Sequence, residues 1–193
     1  QYEYDVLDRI TKSLDPTGKV SEMQYDAAGN LERVVKNGGR VYSYTHDNVG
    51  NLLTVTNPLN QTMSYTYDSM NRKTSETDLG GNTQSYTYDL NGQMLTFTNK
   101  LGGVSSFEYD ANGNISSATD AENRKVSYTY DLADRLISVT EANIVVAEYA
   151  YDSVGNLITY KDGNGKDTAY TYNQLGEMTS TTDPLGNVKK FSY

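Results

Sequence analysis

The residues able to do chemistry in this chain are few in kind and regular in place. Its 25 carboxylates include enough Asp to form general acid and base pairs, and there is one histidine, His46. A nucleophile is harder to find. Cys is absent, and the Ser residues fall at small-residue positions with no His in a matching place, so a Ser-His-Asp arrangement has nothing to stand on. Asp162-Gly163-Asn164-Gly165-Lys166-Asp167 has the look of a calcium loop. Lys166 stands where an oxygen ligand is required and no Glu arrives at the twelfth place, so the loop does not fit an EF-hand. Asp15-Pro16 and Asp183-Pro184 invite comparison with autocleavage sites but occupy ordinary turn positions, and no cleavage is assigned to them. The regular spacing of these side chains is the stronger signal.

The pentapeptide Ser-Tyr-Thr-Tyr-Asp occurs at 64–68, 85–89 and 127–131. Aligned on the second Tyr, the chain gives Tyr4, Tyr25, His46, Tyr67, Tyr88, Tyr109, Tyr130, Tyr151, Tyr172 and Tyr193, every step 21 residues without insertion. Nine contiguous repeats result. With this residue as position 1, position 2 is Asp in all but one repeat, Asn173 being the departure. Position 5 is Gly29, Gly50, Gly92, Gly113, Gly155 or Gly176, or else Asn or Asp. Position 7 is aliphatic or Met in eight repeats, among them Leu31, Leu52, Leu136 and Leu157, with Lys73 as the exception. Position 20 is aromatic except at Met23. His46 thus reads as a stand-in for a structural Tyr, not as a base.

Two turn signals divide each repeat. The first is Asp-x-x-Gly, in which Asp bonds the backbone two residues on and Gly accepts a positive φ; the second falls at positions 12–15, as in Asp183-Pro184-Leu185-Gly186. Between them lie short runs rich in Thr, Val, Ser, Leu and Tyr, which are strand material. Each repeat is a β-hairpin. The fold class is therefore all-β, with tandem 21-residue hairpins forming a curled, spiralling antiparallel sheet in one repeat array over 1–193.

An odd repeat length cannot keep one face constant if both turns are alike. The expectation is a three-residue loop with a bulge at Asp-x-x-Gly and a two-residue loop at the second turn. Position 7 then faces position 1 on one side and position 20 on the other, so positions 1, 7 and 20 share a face, with 16 of the 18 Tyr on it. Val34, Val55 and Ile158 fall on the second face, and pairing slips by about two residues per hairpin. Lys73 at position 7 and Ile144 at a turn position mark locally weaker repeats.

Composition agrees with a protein that depends on its Tyr. Only 36% of the 193 residues are hydrophobic, mean hydropathy is -0.67 and net charge is -9. Averages of that kind also suit a disordered chain, but disordered chains are poor in aromatics. With neither Cys nor Trp, no disulfide framework or thiolate metal site forms. Lys and Arg are scattered among carboxylates, which leaves no basic patch for nucleic acid. No stretch matches a membrane span, nothing at Gln1 onward resembles a signal peptide, and the missing initiator Met suggests a processed chain or a fragment.

The unit YDxxGNLxxxTDPxGNxxxYx, seen most fully in Tyr151-Asp152-Ser153-Val154-Gly155-Asn156-Leu157 and Thr182-Asp183-Pro184-Leu185-Gly186-Asn187, resembles the YD repeat of the Rhs family. Similar proteins include bacterial Rhs and wall-associated polymorphic toxins, shell components of insecticidal Tc toxins, and animal teneurins. The resemblance implies a long β-sheet that spirals into a hollow shell around an unfolded or toxic polypeptide, or that supports adhesion. It also implies an extracellular or cell-surface bacterial setting. Shells of this kind use many more than nine repeats, and their autoproteolytic closing segment has no counterpart in these residues. The expected role is a non-catalytic wall segment, with further YD repeats and an enclosed C-terminal polypeptide as partners and no cofactor. Two alternatives stand beside it: a carbohydrate or cell-wall binding module working through Tyr stacking, and a β-filament or tube self-assembling through open edges. Stacked Asp turns leave weak Ca²⁺ binding as a lesser option.

Overall fold

In the computed structural model, which describes residues 1–193, the chain forms nineteen β-strands and no helix. The backbone divides into two compact units, 1–87 with 97–103, and 88–96 with 104–193. In each, consecutive strands pair antiparallel, as Leu52–Thr56 with Thr62–Tyr67 in the first and Ile115–Thr119 with Lys125–Tyr130 in the second. This is the all-β hairpin array the 21-residue period implies.

The two turns of a repeat have the same size in most repeats, which corrects the expectation of a shorter second loop. At the first, the Asp26 N–H donates to Asn30 O at 2.8 Å and the Gly29 N–H to Asp26 O at 3.0 Å. At the second, the Asp15 N–H donates to Lys19 O at 3.0 Å and the Gly18 N–H to Asp15 O at 3.0 Å. The fourth residue lies at positive φ in each, +93° at Gly29 and +82° at Gly18. Asp and Asn tolerate that region, so Asp8, Asn71 and Asp134 replace the Gly without changing the turn. A two-residue loop does occur once, at Ala142-Asn143, where Glu141 pairs with Ile144. Ile144 therefore extends a hairpin; its strand, Ile144–Tyr151, is the longest of the nineteen.

Parity is restored inside the strand. Tyr25 faces Leu31 and Met23 faces Val34, so one extra residue lies at position 8 as a β-bulge; the same shift recurs at Tyr4, His46, Tyr67, Tyr109, Tyr130, Tyr151 and Tyr172. The bulge carries position 10 to the aromatic face. Val34 and Val55 consequently lie opposite Met23 and Tyr44, not on the second face, and position 20 opposes position 10 and not position 7. Tyr42 pairs with Val34 and Tyr160 with Tyr149, so the two Tyr outside positions 1 and 20 join the same face. Ile158, the bulge residue of its repeat, is the one of the three left outside that face.

The slip of two residues per hairpin is present in both units. Ser64 pairs with Thr77 and Thr77 with Thr83, two short of Ser85, the repeat equivalent of Ser64. Ser106 reaches Thr119 and then Lys125, again two short of its equivalent, Ser127. The opposite face is polar, with hydroxyl pairs and ion pairs: Thr77 and Thr83 Oγ1 are 2.8 Å apart, Thr171 Oγ1 lies 2.7 Å from Ser180 Oγ, and Lys12 Nζ lies 3.1 Å from Glu3 Oε1. Burial is shallow throughout. Only Val34, Ala147 and Ser117 are buried, at 7%, 8% and 4% exposed, and no side chain is completely enclosed, so each hairpin is stabilised by its neighbours in the plane.

Candidate functional site

Many of the side chains that could do chemistry are engaged by the turns and strands. His46 occupies a half-buried strand position opposite Leu52, as a Tyr does elsewhere. Asp162 Oδ1 accepts the N–H groups of Asn164 and Lys166 at 2.9 and 3.0 Å, and Asp183 Oδ1 those of Leu185 and Asn187 at 2.9 and 2.8 Å. No three His, Asp or Glu side chains converge as metal ligands. These carboxylates hold turns together.

What the repeats do assemble is a connection between successive hairpins. Leu31 faces Tyr25, Leu52 faces His46, Leu136 faces Tyr130 and Leu157 faces Tyr151, each within one repeat. The next repeat then reaches back. The Tyr25 hydroxyl donates to Ile10 O at 2.9 Å, Tyr109 to Met94 O at 2.8 Å, Tyr130 to Ile115 O at 3.0 Å and Tyr151 to Leu136 O at 2.9 Å. In these four repeats the position-1 Tyr latches onto the position-7 carbonyl of the preceding hairpin. Tyr67 and Tyr172 hold the same strand position at the foot of the first turn without that bond, and Tyr4 and Tyr88 stand at that position too. The bond explains a sequence signal that packing leaves unexplained: position 20 accepts Phe107 and Phe191, whereas position 1 never takes Phe. The hydroxyl gives Tyr an advantage over Phe there, and His46 is the one residue that replaces it.

A second connection runs along the turn edge through position 6, a residue the periodicity does not single out. Its side chain binds the position-2 carboxylate of its own turn and then touches the next. Asn114 Nδ2 donates to Asp110 Oδ2 at 3.1 Å and to Asp134 Oδ1 at 2.7 Å; Arg135 bonds Asp131 Oδ2 at 2.7 Å and Asp152 O at 3.0 Å. Arg135 also lies 4.8 Å from the Tyr151 ring centroid, and Arg9 4.5 Å from that of Tyr25. Gly50 and Gly113 give these side chains room, since a Cβ at each would lie 3.3 Å from Asn30 Oδ1 and 3.1 Å from Gln93 Nε2. Gly29 is in the same relation to Arg9, whereas a Cβ at Gly155 or Gly176 would make only ordinary contact; these and Gly92 share the left-handed turn conformation. A run of polar donors at one repeat position, from Arg9, Asn30, Asn51, Arg72 and Gln93 to Asn156, is the signal that marks it; at the last repeat the roles reverse, and Asn173 donates to Glu177.

Electrostatics follow this pattern. The amides of Asn30 beside Asp26, Asn51 beside Asp47 and Asn156 beside Asp152 hold those carboxyls below the usual range, and Arg135 does the same for Asp131. Burial on the aromatic face pushes the Tyr44 and Tyr149 phenols up. Lys73, the exception at position 7, pairs with Glu76 at 2.9 Å and lies 5.1 Å from the Tyr65 ring centroid. The two charged residues stand where Leu31 and Val34, or Leu52 and Val55, stand in other repeats, and the repeat keeps its ladder.

The described geometry is a docking surface repeated from hairpin to hairpin. No curated protein matches the chain. Among solved structures, the chain is similar to the TcdB2-TccC3-Cdc42 crystal structure, with a TM-score of 0.58 at 19% identity over 94% of this chain. It is similar also to the Photorhabdus luminescens Tc holotoxin pore carrying a TccC3 D651A mutation, at 0.57 and 18% over 94%. At these identities the likeness is one of fold. The chain spans only 13% and 12% of those chains. The family model for the teneurin YD-shell matches residues 1–140 and 63–193, which together take in the whole sequence, and the chain belongs to the teneurin YD-shell family.

Proposed function

We propose that residues 1–193 form a segment of the wall of a YD-repeat shell, a non-catalytic structure that encloses or displays another polypeptide in an extracellular or cell-surface setting. Its partners on this reading are further YD repeats and the enclosed segment. The observation that carries it is the recurrence of one docking geometry: the same bulge and the same two-residue slip from hairpin to hairpin, with a Tyr-to-carbonyl latch in four repeats. Such a strip grows by adding repeats and needs no interior core. Its faces differ in chemistry, one aromatic and aliphatic and the other polar, as a wall separating two environments requires. No helix is long and apolar enough to cross a membrane.

Limited proteolysis of the natural protein that carries these repeats tests the proposal. A segment resistant to protease in the intact assembly and cut once the strands are unfolded is the expected result. Equal cleavage of every non-YD segment in both states removes enclosure, and electron micrographs of flat or irregular ribbons remove the shell.

A further inference from the structure

We infer that Asn37 is a site of spontaneous deamidation and isoaspartate formation in the folded chain, selected by its turn and activated by Arg40. The sequence holds four Asn-Gly pairs, at Asn37, Asn91, Asn112 and Asn164. The reaction requires the following Gly nitrogen as nucleophile. In three of the pairs that nitrogen is committed: the Gly92 N–H donates to Asp89 O at 3.2 Å, Gly113 to Asp110 O at 3.1 Å and Gly165 to Asp162 O at 2.8 Å. In these turns Asn is the third residue and Gly the fourth.

The turn 36–39 keeps the frame of the other turns, but its Asn-Gly pair sits one residue earlier. It is closed by the Gly39 N–H on Lys36 O at 3.1 Å, so Asn37 and Gly38 are its two central residues and the Gly38 N–H makes no hydrogen bond. Residues 37–39 are exposed, and a Cβ at Gly38 or Gly39 meets nothing within 4 Å. The loop has space to bring the Asn37 side chain onto that nitrogen.

A second observation bears on the same peptide group. Arg40 Nε donates to Asn37 O at 3.4 Å, and that oxygen belongs to the amide whose nitrogen is Gly38 N. A guanidinium on the oxygen stabilises the anion formed when the N–H loses its proton, which makes the nitrogen a better nucleophile. The nitrogen then attacks Asn37 Cγ, the Cγ–Nδ2 bond breaks and ammonia leaves with a proton from solvent, closing a succinimide. Water opens the ring at either carbonyl. Opening at Cγ gives Asp, and opening at the main-chain carbonyl gives isoaspartate, with an extra methylene in the backbone beside the Lys36–Arg40 pair. Either product makes the chain one charge more negative than -9.

The test incubates the folded chain at mildly alkaline pH, with peptide mapping by mass spectrometry to follow each Asn-Gly pair. Opening one turn hydrogen bond costs enough to slow a protected pair roughly threefold to tenfold, so Asn37 is expected to lead the other three by about that factor. In concentrated urea the four rates should converge. Arg40→Gln should slow Asn37 several-fold while leaving Asn91, Asn112 and Asn164 unchanged. Equal rates in the folded chain, or a lead at Asn37 that persists undiminished in urea, overturn selection by the turn. An unaltered Asn37 rate in Arg40→Gln, with the circular dichroism of the parent, overturns activation.

Discussion

Replacing Tyr151 with Phe removes one oxygen and leaves the aromatic ring facing Leu157. What is lost is the 2.9 Å bond to Leu136 O, a contact between hairpins. A hydrogen bond of this kind contributes about 0.5–1.5 kcal/mol net, and at a half-buried site where water can replace the donor about 1 kcal/mol is expected. For a chain of this length that lowers Tm by roughly 2–4 °C. Tyr170→Phe is the control. Tyr170 is also half-buried on the aromatic face, opposite Thr181, but at position 20, where Phe is already accepted at Phe107 and Phe191. It should move Tm by less than half as much. Urea titration of parent and both variants supplies the free energies, and amide exchange should show faster opening in Leu136–Glu141 for Tyr151→Phe alone. Equal losses for the two variants would refute the latch and reduce position 1 to a packing position.

Three further outcomes follow from the register and the turns. Leu136→Asp places a carboxylate against Tyr130 on the aromatic face and should cost roughly 2 kcal/mol or more, whereas Ser138→Asp, opposite Thr129 and Glu148, should cost under about 1 kcal/mol from like-charge opposition; comparable urea midpoints contradict the face assignment. Deleting Ile158, the bulge residue, leaves Tyr151 opposite Leu157 and Tyr149 opposite Tyr160, while deleting Thr171 turns one of its flanking Tyr to the polar face; the first should fold with near-parental circular dichroism and the second should not. The capping carboxyls Asp26, Asp47, Asp152 and Asp183, each held low first by its neighbouring Asn amide, have folded values below their unfolded ones. Their contribution is fully present above the unfolded value of about 4 and disappears as pH falls through the folded values, so Tm should stay level from neutral pH down to about 4 and drop below it; a decline already complete by pH 5 contradicts the caps.

How far the sequence alone reaches can be judged from particular positions. The period and both turns are legible because they need special backbone, and few residues tolerate it: Asp to bond back, and Gly, Asn or Asp for positive φ. The face assignment fails at Val34 and Val55 for a definite reason. Parity can be corrected either by loop length or by a bulge, and both place position 7 opposite position 1. They differ only at position 10, where Ser13, Glu76, Phe97, Ala118 and Tyr160 share no character that reveals a face. That variety has a physical source. Position 10 lies opposite the position-20 ring, as Phe97 does against Tyr86 with centroids 5.5 Å apart, and a sheet one layer deep sets no volume limit above it. A core would select residues there by size, but this sheet selects only where two hairpins must meet. Conservation within the chain is accordingly strongest for the rings at positions 1 and 20, the turn Asp and the apolar residue at position 7.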